Sequence, residues 1–128
     1  MALRRNLRVL VVDDMSISRQ ILLQMLEQIG VASVDTSPNG PNALASLAER
    51  PADVIIADLH MPEMNGLELL RRLRNDRRNS KIGFVMTSGD DTNKKIAEAW
   101  HDGLDRFLPK PFDMQRLIAC LESIAGRI

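Results

Sequence analysis

The chain is poor in cysteine and in aromatic residues. Its 128 residues include one cysteine, Cys120, no tyrosine, three phenylalanines and one tryptophan. A single cysteine excludes a disulfide framework, and so few aromatic rings disfavour a surface that stacks single-stranded nucleic acid. Long apolar runs are missing as well, since the first one, residues 9–12, stops at two aspartates. We therefore expect neither an export signal nor a membrane span, and a cytoplasmic location.

The chain also lacks an excess of either charge. Lysine and arginine together number 17, as do aspartate and glutamate, so the formal net charge is zero. This balance argues against a surface that attracts nucleic acid as a whole. One basic cluster stands out, and we expect it to complement a helix dipole and stay in water rather than bind nucleic acid. Its members are Arg71, Arg72, Arg74, Arg77, Arg78 and Lys81.

Length and composition are those of one globular domain. With 45% apolar and 27% charged residues, a chain of this size buries roughly two thirds of the surface that it exposes when unfolded, and it needs no metal to fold. The sequence shows no linker, repeat or low-complexity stretch. We expect one domain over residues 1–128, monomeric and without an output domain.

Apolar segments of strand length alternate with segments of helical period. The predicted strands are residues 7–12, 33–36, 54–57, 82–86 and 106–108, and the predicted helices are residues 17–29, 43–48, 67–73, 96–100 and 114–124. Because parallel strands need a crossover helix between them, this alternation predicts an α/β fold, a doubly wound sheet of five parallel strands covered on both faces. The second strand is strongly apolar only at Val34, so we expect it at an edge.

Individual residues agree with this division. Ser16 is expected to cap the first helix, Gly30 to end it and Asp113 to precede the last one. The apolar residues of the first helix suit one face, namely Ile17, Ile21, Leu22, Met25, Leu26 and Ile29. Cys120 is expected to be a small buried hydrophobe, and Trp100 to pack rather than to bind a partner.

Polar residues follow the predicted strands at their carboxyl ends, where doubly wound sheets bind ligands. Asp13 and Asp14 follow the first strand, Asp58 the third, Thr87 the fourth and Lys110 the fifth. Each alone is compatible with an ordinary loop residue, but together they point to chemistry. Three crowded carboxylates each tend to hold a proton unless a cation compensates. Oxygen ligands without a histidine or cysteine set favour a hard ion, magnesium first.

Four motifs at these strand ends carry a family resemblance. They read Val-Val-Asp-Asp at 11–14, Asp-Leu-His-Met-Pro-Glu-Met-Asn-Gly at 58–66, Thr-Ser-Gly at 87–89 and Leu-Pro-Lys-Pro-Phe at 108–112. Together they resemble the receiver domain of bacterial two-component response regulators, in the free-standing CheY-like form known from chemotaxis. The resemblance covers essentially the whole chain, and it implies a flavodoxin-like sheet with strand order 2-1-3-4-5.

The resemblance also implies a function. It makes the protein a phosphorylation-dependent switch of a phosphorelay rather than an enzyme, with intrinsic phosphotransfer and autodephosphorylation. Asp58 is the implied phosphoryl acceptor, Thr87 donates its hydroxyl to a phosphoryl oxygen, and Lys110 pairs with the phosphoryl group. The implied magnesium ligands are Asp14 directly, Asp13 largely through water, Asp58, and the backbone carbonyl of His60. A cis bond between Lys110 and Pro111 is implied as well.

Partners follow from the same resemblance. A sensor histidine kinase or a histidine phosphotransfer protein is the implied donor, and neither nucleic acid nor a membrane is expected. Thr87 and Phe107 are the implied switch, because Phe107 can swing into the gap that a moving Thr87 leaves. An effector is expected on the face of the fourth helix, fifth strand and fifth helix, which bears Ile96, Trp100, Phe107 and Arg106. Phe107 has no hydroxyl, which weakens the case for a flagellar-motor target.

Three alternatives are weighed against this interpretation. A flavodoxin-like flavin carrier is disfavoured because Asp13 and Asp14 would repel the phosphate of the cofactor. A phosphatase with an aspartyl nucleophile would carry that nucleophile after the first strand and a second acid two residues later. In this chain the residue two beyond Asp13 is Met15. A degenerate receiver that only binds proteins remains the alternative, although the five intact polar residues at the strand ends argue against it.

Overall fold

Five strands and five helices alternate along the chain in a computed structural model, which describes residues 6–90 and 93–125. The strands are β1 (Arg8–Val12), β2 (Ser33–Ser37), β3 (Val54–Asp58), β4 (Gly83–Ser88) and β5 (Arg106–Pro109). The helices are α1 (Ser16–Ile29), α2 (Gly40–Glu49), α3 (Gly66–Arg74), α4 (Lys94–His101) and α5 (Met114–Ala125). Within the described ranges, no helix has the length and apolar character needed to cross a bilayer.

All neighbouring strands pair in parallel, in the order β2-β1-β3-β4-β5. The predicted fold class and strand order are confirmed, and β2 lies at an edge. The three central strands are buried at nearly every position. Helices cover both faces of the sheet, so these strands need apolar side chains on both sides.

Alternating side chains along each strand pack into two separate hydrophobic cores, one on each face of the sheet. Leu10 of β1 and Ile55 of β3 point to the core under α2, α3 and α4, whereas Val11 and Ile56 point to the core under α1 and α5. Successive side chains on a strand face opposite sides of a sheet, which produces this division. Cys120 lies buried in the second core as predicted, and burial raises the pKa of its thiol.

The helix ends agree with the sequence except at the start of α1. Gly30 ends α1 in the left-handed conformation with φ of 97°, and the Asp113 carboxylate accepts the N–H of Arg116 at the start of α5. The prediction that Ser16 caps α1 is wrong. Met15 occupies the cap position without a side-chain hydrogen bond, and Ser16 is already the first helical residue.

Apolar side chains of two helices lie partly in solvent. On α1 only Leu22 and Leu26 are buried, while Ile17 is 74% exposed and Ile21 is also exposed. Each residue turns a helix by about 100°, so the apolar stripe is wider than the part that meets the sheet. Trp100 of α4 is 47% exposed, and the prediction that it packs is wrong.

Candidate functional site

Three carboxylates converge at the carboxyl edge of the sheet. Asp13 and Asp14 follow β1, Asp58 ends β3, and these two strands are direct neighbours. One oxygen from each of the three residues lies within 4.8 Å of the others. Asp13 is 3% and Asp58 7% exposed, whereas Asp14 faces solvent. An oxygen-only set of three carboxylates, open on one side, fits a hard divalent cation such as Mg²⁺.

Lys110 places a positive charge against the buried pair. Its Nζ lies 3.1 Å from Asp58 Oδ2 and 3.4 Å from Asp13 Oδ2, and it also donates to Ser18 Oγ at 3.3 Å. The backbone N–H of Lys110 is fixed by the carbonyl of Ser88 on β4. The bond to Pro111 is cis, as the resemblance implies. The ammonium group has three N–H donors, and the three contacts supply one acceptor for each.

The second oxygen of each buried carboxylate is held by the backbone two residues further on. Asp58 Oδ1 accepts the N–H of His60 at 3.1 Å, and Asp13 Oδ1 accepts the N–H of Met15 at 2.9 Å. Such local turns are a common use of aspartate after a strand. Both carboxylates are therefore oriented before any cation or phosphoryl group arrives.

The loop between β3 and α3 is fitted closely around the backbone of Asp58. The N–H of Gly66 bonds to Leu59 O, and a Cβ atom at Gly66 would lie 2.7 Å from the carbonyl oxygen of Asp58. Glycine is the residue that allows this approach. Asn65 and Glu68 form a capping box that starts α3 directly after it. The end of β3 is thus braced from the side of α3.

Thr87 lies beside Asp58 in the sheet. The two residues are register partners on β4 and β3, and Thr87 is almost completely buried. Thr87, Lys110 and Ser18 line one cleft of about 360 Å³. The remaining walls of this cleft are mostly apolar side chains of α1 and of the segment after β5. Asp58 does not line this cleft, but it is joined to it by the contact with Lys110 Nζ at 3.1 Å.

Of the residues predicted for the site, the structure brings together Asp13, Asp14, Asp58, Thr87 and Lys110. The His60 side chain is exposed. Phe107 is partly buried against the core under α3 and α4 and does not line the cleft. The sequence interpretation missed Ser18. Nothing in the sequence singled it out, because the first turn of α1, Ser-Ile-Ser-Arg, is mostly polar.

One residue that was expected on the effector face does not lie on the surface. Ile96 is buried and cannot be part of a surface there, whereas Trp100 and Arg106 are exposed. The Arg106 guanidinium donates to Ser123 Oγ at 2.8 Å, which joins β5 to α5. The exposed face of α4, β5 and α5 therefore bears Trp100, Arg106 and the outer part of Phe107.

The basic cluster is less solvated than predicted. Arg71 pairs with Asp102 at 2.6 Å and Glu98 at 3.3 Å, and its hydrogen bond with Asp102 raises the pKa of the guanidinium. Arg74 is mostly buried against Asp105. These two arginines tie α3 to α4 and to the start of β5. The prediction that the whole cluster stays in water is wrong for Arg74, whereas Arg71 remains exposed while it forms its ion pairs.

Comparisons with known proteins agree with this geometry. The family model for the response regulator receiver domain matches residues 9–122. Chemotaxis protein CheY1 of Helicobacter pylori is 34% identical over 121 residues, which are 94% of this chain and 98% of that protein. A probable chemotaxis protein CheY of Rhizobium etli is 27% identical over 128 residues, which are 100% and 99% of the two chains. The crystallised chemotaxis protein CheY4 of Vibrio cholerae has a TM-score of 0.86 and 30% identity, covering 93% and 98% of the chains.

Proposed function

Because the chain belongs to the response regulator receiver family, whose members act in phosphorylation-based two-component signalling, we propose that Asp58 is its phosphoryl acceptor. One observation carries the proposal. Asp58 is the carboxylate that ends the central strand, bonds to Lys110 at 3.1 Å and pairs in register with Thr87. A carboxylate attacks phosphorus without a general base.

The transfer needs positioning and charge neutralisation more than covalent help from the protein. An oxygen of Asp58 forms the new O–P bond while the bond from phosphorus to the donor histidine nitrogen breaks, and the product is an aspartyl phosphate. Lys110 stays close enough to pair with the transferred oxygens. Thr87, the register partner of Asp58 on β4, would donate its hydroxyl to one of them.

Magnesium fits the same site. The residues that would hold it are Asp13, Asp14, Asp58 and the backbone carbonyl of His60. When bound, it would supply positive charge to the phosphoryl oxygens. Asp13 and Asp58 share a single lysine, while Asp14 has no ion pair among the described residues, so the three carboxylates leave a negative balance for a divalent cation.

Loss of the phosphoryl group is proposed to be intrinsic to the protein. Water attacks phosphorus, the O–P bond to Asp58 breaks, and inorganic phosphate leaves with the carboxylate restored. Gly89 follows β4 beside the site, and the space where its Cβ would lie is open. No side chain at that position obstructs water.

The donor is proposed to be a sensor histidine kinase or a histidine phosphotransfer protein that docks over α1. Met15, Ile17 and Ile21 form an exposed apolar surface there, and Ile21 also lines the cleft that contains Lys110. An exposed apolar patch next to a reactive site is typical of a protein-binding surface. A donor that covers it brings its histidine towards Asp58.

The output is proposed to be an effector protein on the α4, β5 and α5 face. A phosphoryl group adds about one to two negative charges, which would draw Thr87 towards Asp58. The movement of Thr87 would leave a gap beside Phe107. Because a close-packed core disfavours a void, Phe107 would then take an inward rotamer that fills the gap. Partners that prefer that rotamer then bind the phosphorylated protein more tightly.

Labelling with acetyl phosphate and magnesium tests the acceptor. We expect the intact mass of the wild type to increase by one phosphoryl group and that of Asp58→Asn to stay unchanged. Asp53→Asn is the matched control, because Asp53 precedes the same strand at its opposite end and bonds to the N–H of Arg8. Equal labelling of Asp58→Asn would contradict the assignment. A wild type that takes no label would favour a degenerate receiver that only binds proteins.

A further inference from the structure

Three acceptors surround the ammonium group of Lys110, and they differ in what else they do. Asp58 Oδ2 lies at 3.1 Å, Ser18 Oγ at 3.3 Å and Asp13 Oδ2 at 3.4 Å. In the proposed function Asp58 takes the phosphoryl group and Asp13 takes part in cation binding. Ser18 is the one acceptor of the three that has no other task.

We propose that Ser18 is a positioning residue. It holds Lys110 Nζ over Asp58 while Asp58 takes up the phosphoryl group and Asp13 takes part in cation binding. The inference rests on the proposed function and deepens it. A lysine side chain has four flexible carbon–carbon bonds and loses considerable rotamer freedom when it is fixed. A constant acceptor on α1 restricts the lysine side chain before the phosphoryl group arrives. Less rotamer freedom then has to be lost during transfer.

The position of Ser18 is itself fixed by the site. The N–H of Met15, just before α1, bonds to Asp13 Oδ1 at 2.9 Å, and Arg19 donates to the carbonyl oxygen of Asp13 at 2.7 Å. The first turn of α1 is therefore bound to the end of β1. Ser18, in that turn, is half-buried and lines the same cleft as Lys110 and Thr87.

The substitution Ser18→Ala removes the hydroxyl and leaves the fold of α1 in place, because alanine favours a helix. A hydrogen bond to a charged group is among the stronger kinds. We expect labelling of Asp58 by acetyl phosphate with magnesium to slow roughly three- to tenfold. Ser18→Thr keeps a hydroxyl and should restore most of the rate. Ser16→Ala is the matched control, since Ser16 is exposed on the same turn and should label like the wild type.

Two further measurements separate positioning from a general structural effect. In a Lys110→Ala background, where we expect slower labelling, Ser18→Ala should cause no additional loss. In unphosphorylated protein, NMR relaxation of the Lys110 Cε group should show a more mobile side chain in Ser18→Ala than in the wild type. The exposed Lys81 serves as the internal reference for a free lysine.

Equal slowing by Ser18→Ala in the presence and absence of Lys110 would overturn the proposal, as would an unchanged Lys110 relaxation in that variant. Failure of the proposed function appears differently, as a wild type that takes no label at all. In that case the NMR comparison alone decides whether Ser18 holds Lys110.

Discussion

Arg74 of α3 and Asp105, just before β5, form an ion pair at 3.0 Å in which each side chain is only 18% exposed. The pair lies at the centre of a larger network. Arg74 also donates to the carbonyl oxygens of Ile82 and Gly103, and Asp105 accepts the N–H of Phe84 at 2.8 Å. One guanidinium thus joins the end of α3 to the strand entries of β4 and β5.

We expect Arg74→Met to lower the free energy of unfolding by about 2–4 kcal/mol, because it removes a charged donor from the largely buried Asp105 carboxylate and from three backbone carbonyl oxygens. Chemical denaturation measures the loss. Arg72→Met, at an exposed position in the same turn of α3, is the control and should change stability by less than about 0.5 kcal/mol. Similar losses in the two variants would show that the network contributes little.

The importance of Arg74 illustrates where sequence reasoning reaches its limit. The strands were predictable because β1, β3 and β4 contain near-continuous apolar runs, and the grouping of Asp13, Asp58 and Thr87 was predictable because a polar residue comes directly after each of these runs. Arg74 looked like one member of a solvated basic cluster. Its partner Asp105 is 31 residues away, and local periodicity carries no information about a contact at that distance.

The exposed apolar residues were misjudged for a related reason. Spacing shows which side chains share a helix face, but it does not show how much of that face the sheet covers. Ile17 shares the apolar face of α1 and is nevertheless exposed, and Trp100, which was expected to pack, is exposed as well. Ser18 was missed because one serine in a helix has no pattern, and only the fold brings it to Lys110.

The charge balance of the acidic site predicts the behaviour of Asp14→Asn. Removing one of three crowded carboxylates relieves repulsion as well as removing a cation ligand. We expect magnesium affinity, measured by isothermal titration calorimetry, to fall at least about tenfold. The melting temperature without magnesium should stay equal or rise. A melting temperature that falls would mean that Asp14 stabilises the fold by a contact of its own.

Activation should be visible on α4 and β5. Adding beryllofluoride with magnesium is expected to change the fluorescence of Trp100, because it is the only tryptophan and lies in the helix that we expect to move. Amide exchange should change over residues 93–108, and Asp58→Asn should respond in neither measurement. A response confined to α1 and α2 would assign the output to another face.

The buried thiol of Cys120 should make the free energy of unfolding depend on pH in the alkaline range. Burial raises the pKa of its thiol, so the folded protein keeps this proton while the unfolded chain releases it. Stability should therefore fall as the pH rises from the ordinary thiol pKa towards the folded one, by at most about 1.4 kcal/mol per pH unit. Urea denaturation at a series of pH values measures this slope. Cys120→Ala should flatten it, and an unchanged slope would assign it to other groups.

The form of β5 limits the ways in which a partner can be recognised. An extended peptide can add a strand to a sheet edge that offers a long row of backbone N–H and C=O groups. At this edge β5 has only four residues, Arg106–Pro109, and Pro109 has no N–H to donate. Backbone pairing therefore gives an effector little affinity here. On the proposed effector face, selectivity would then rest on the side chains of Trp100, Arg106 and Phe107, so we expect exchange of these residues between receivers to change which effector binds.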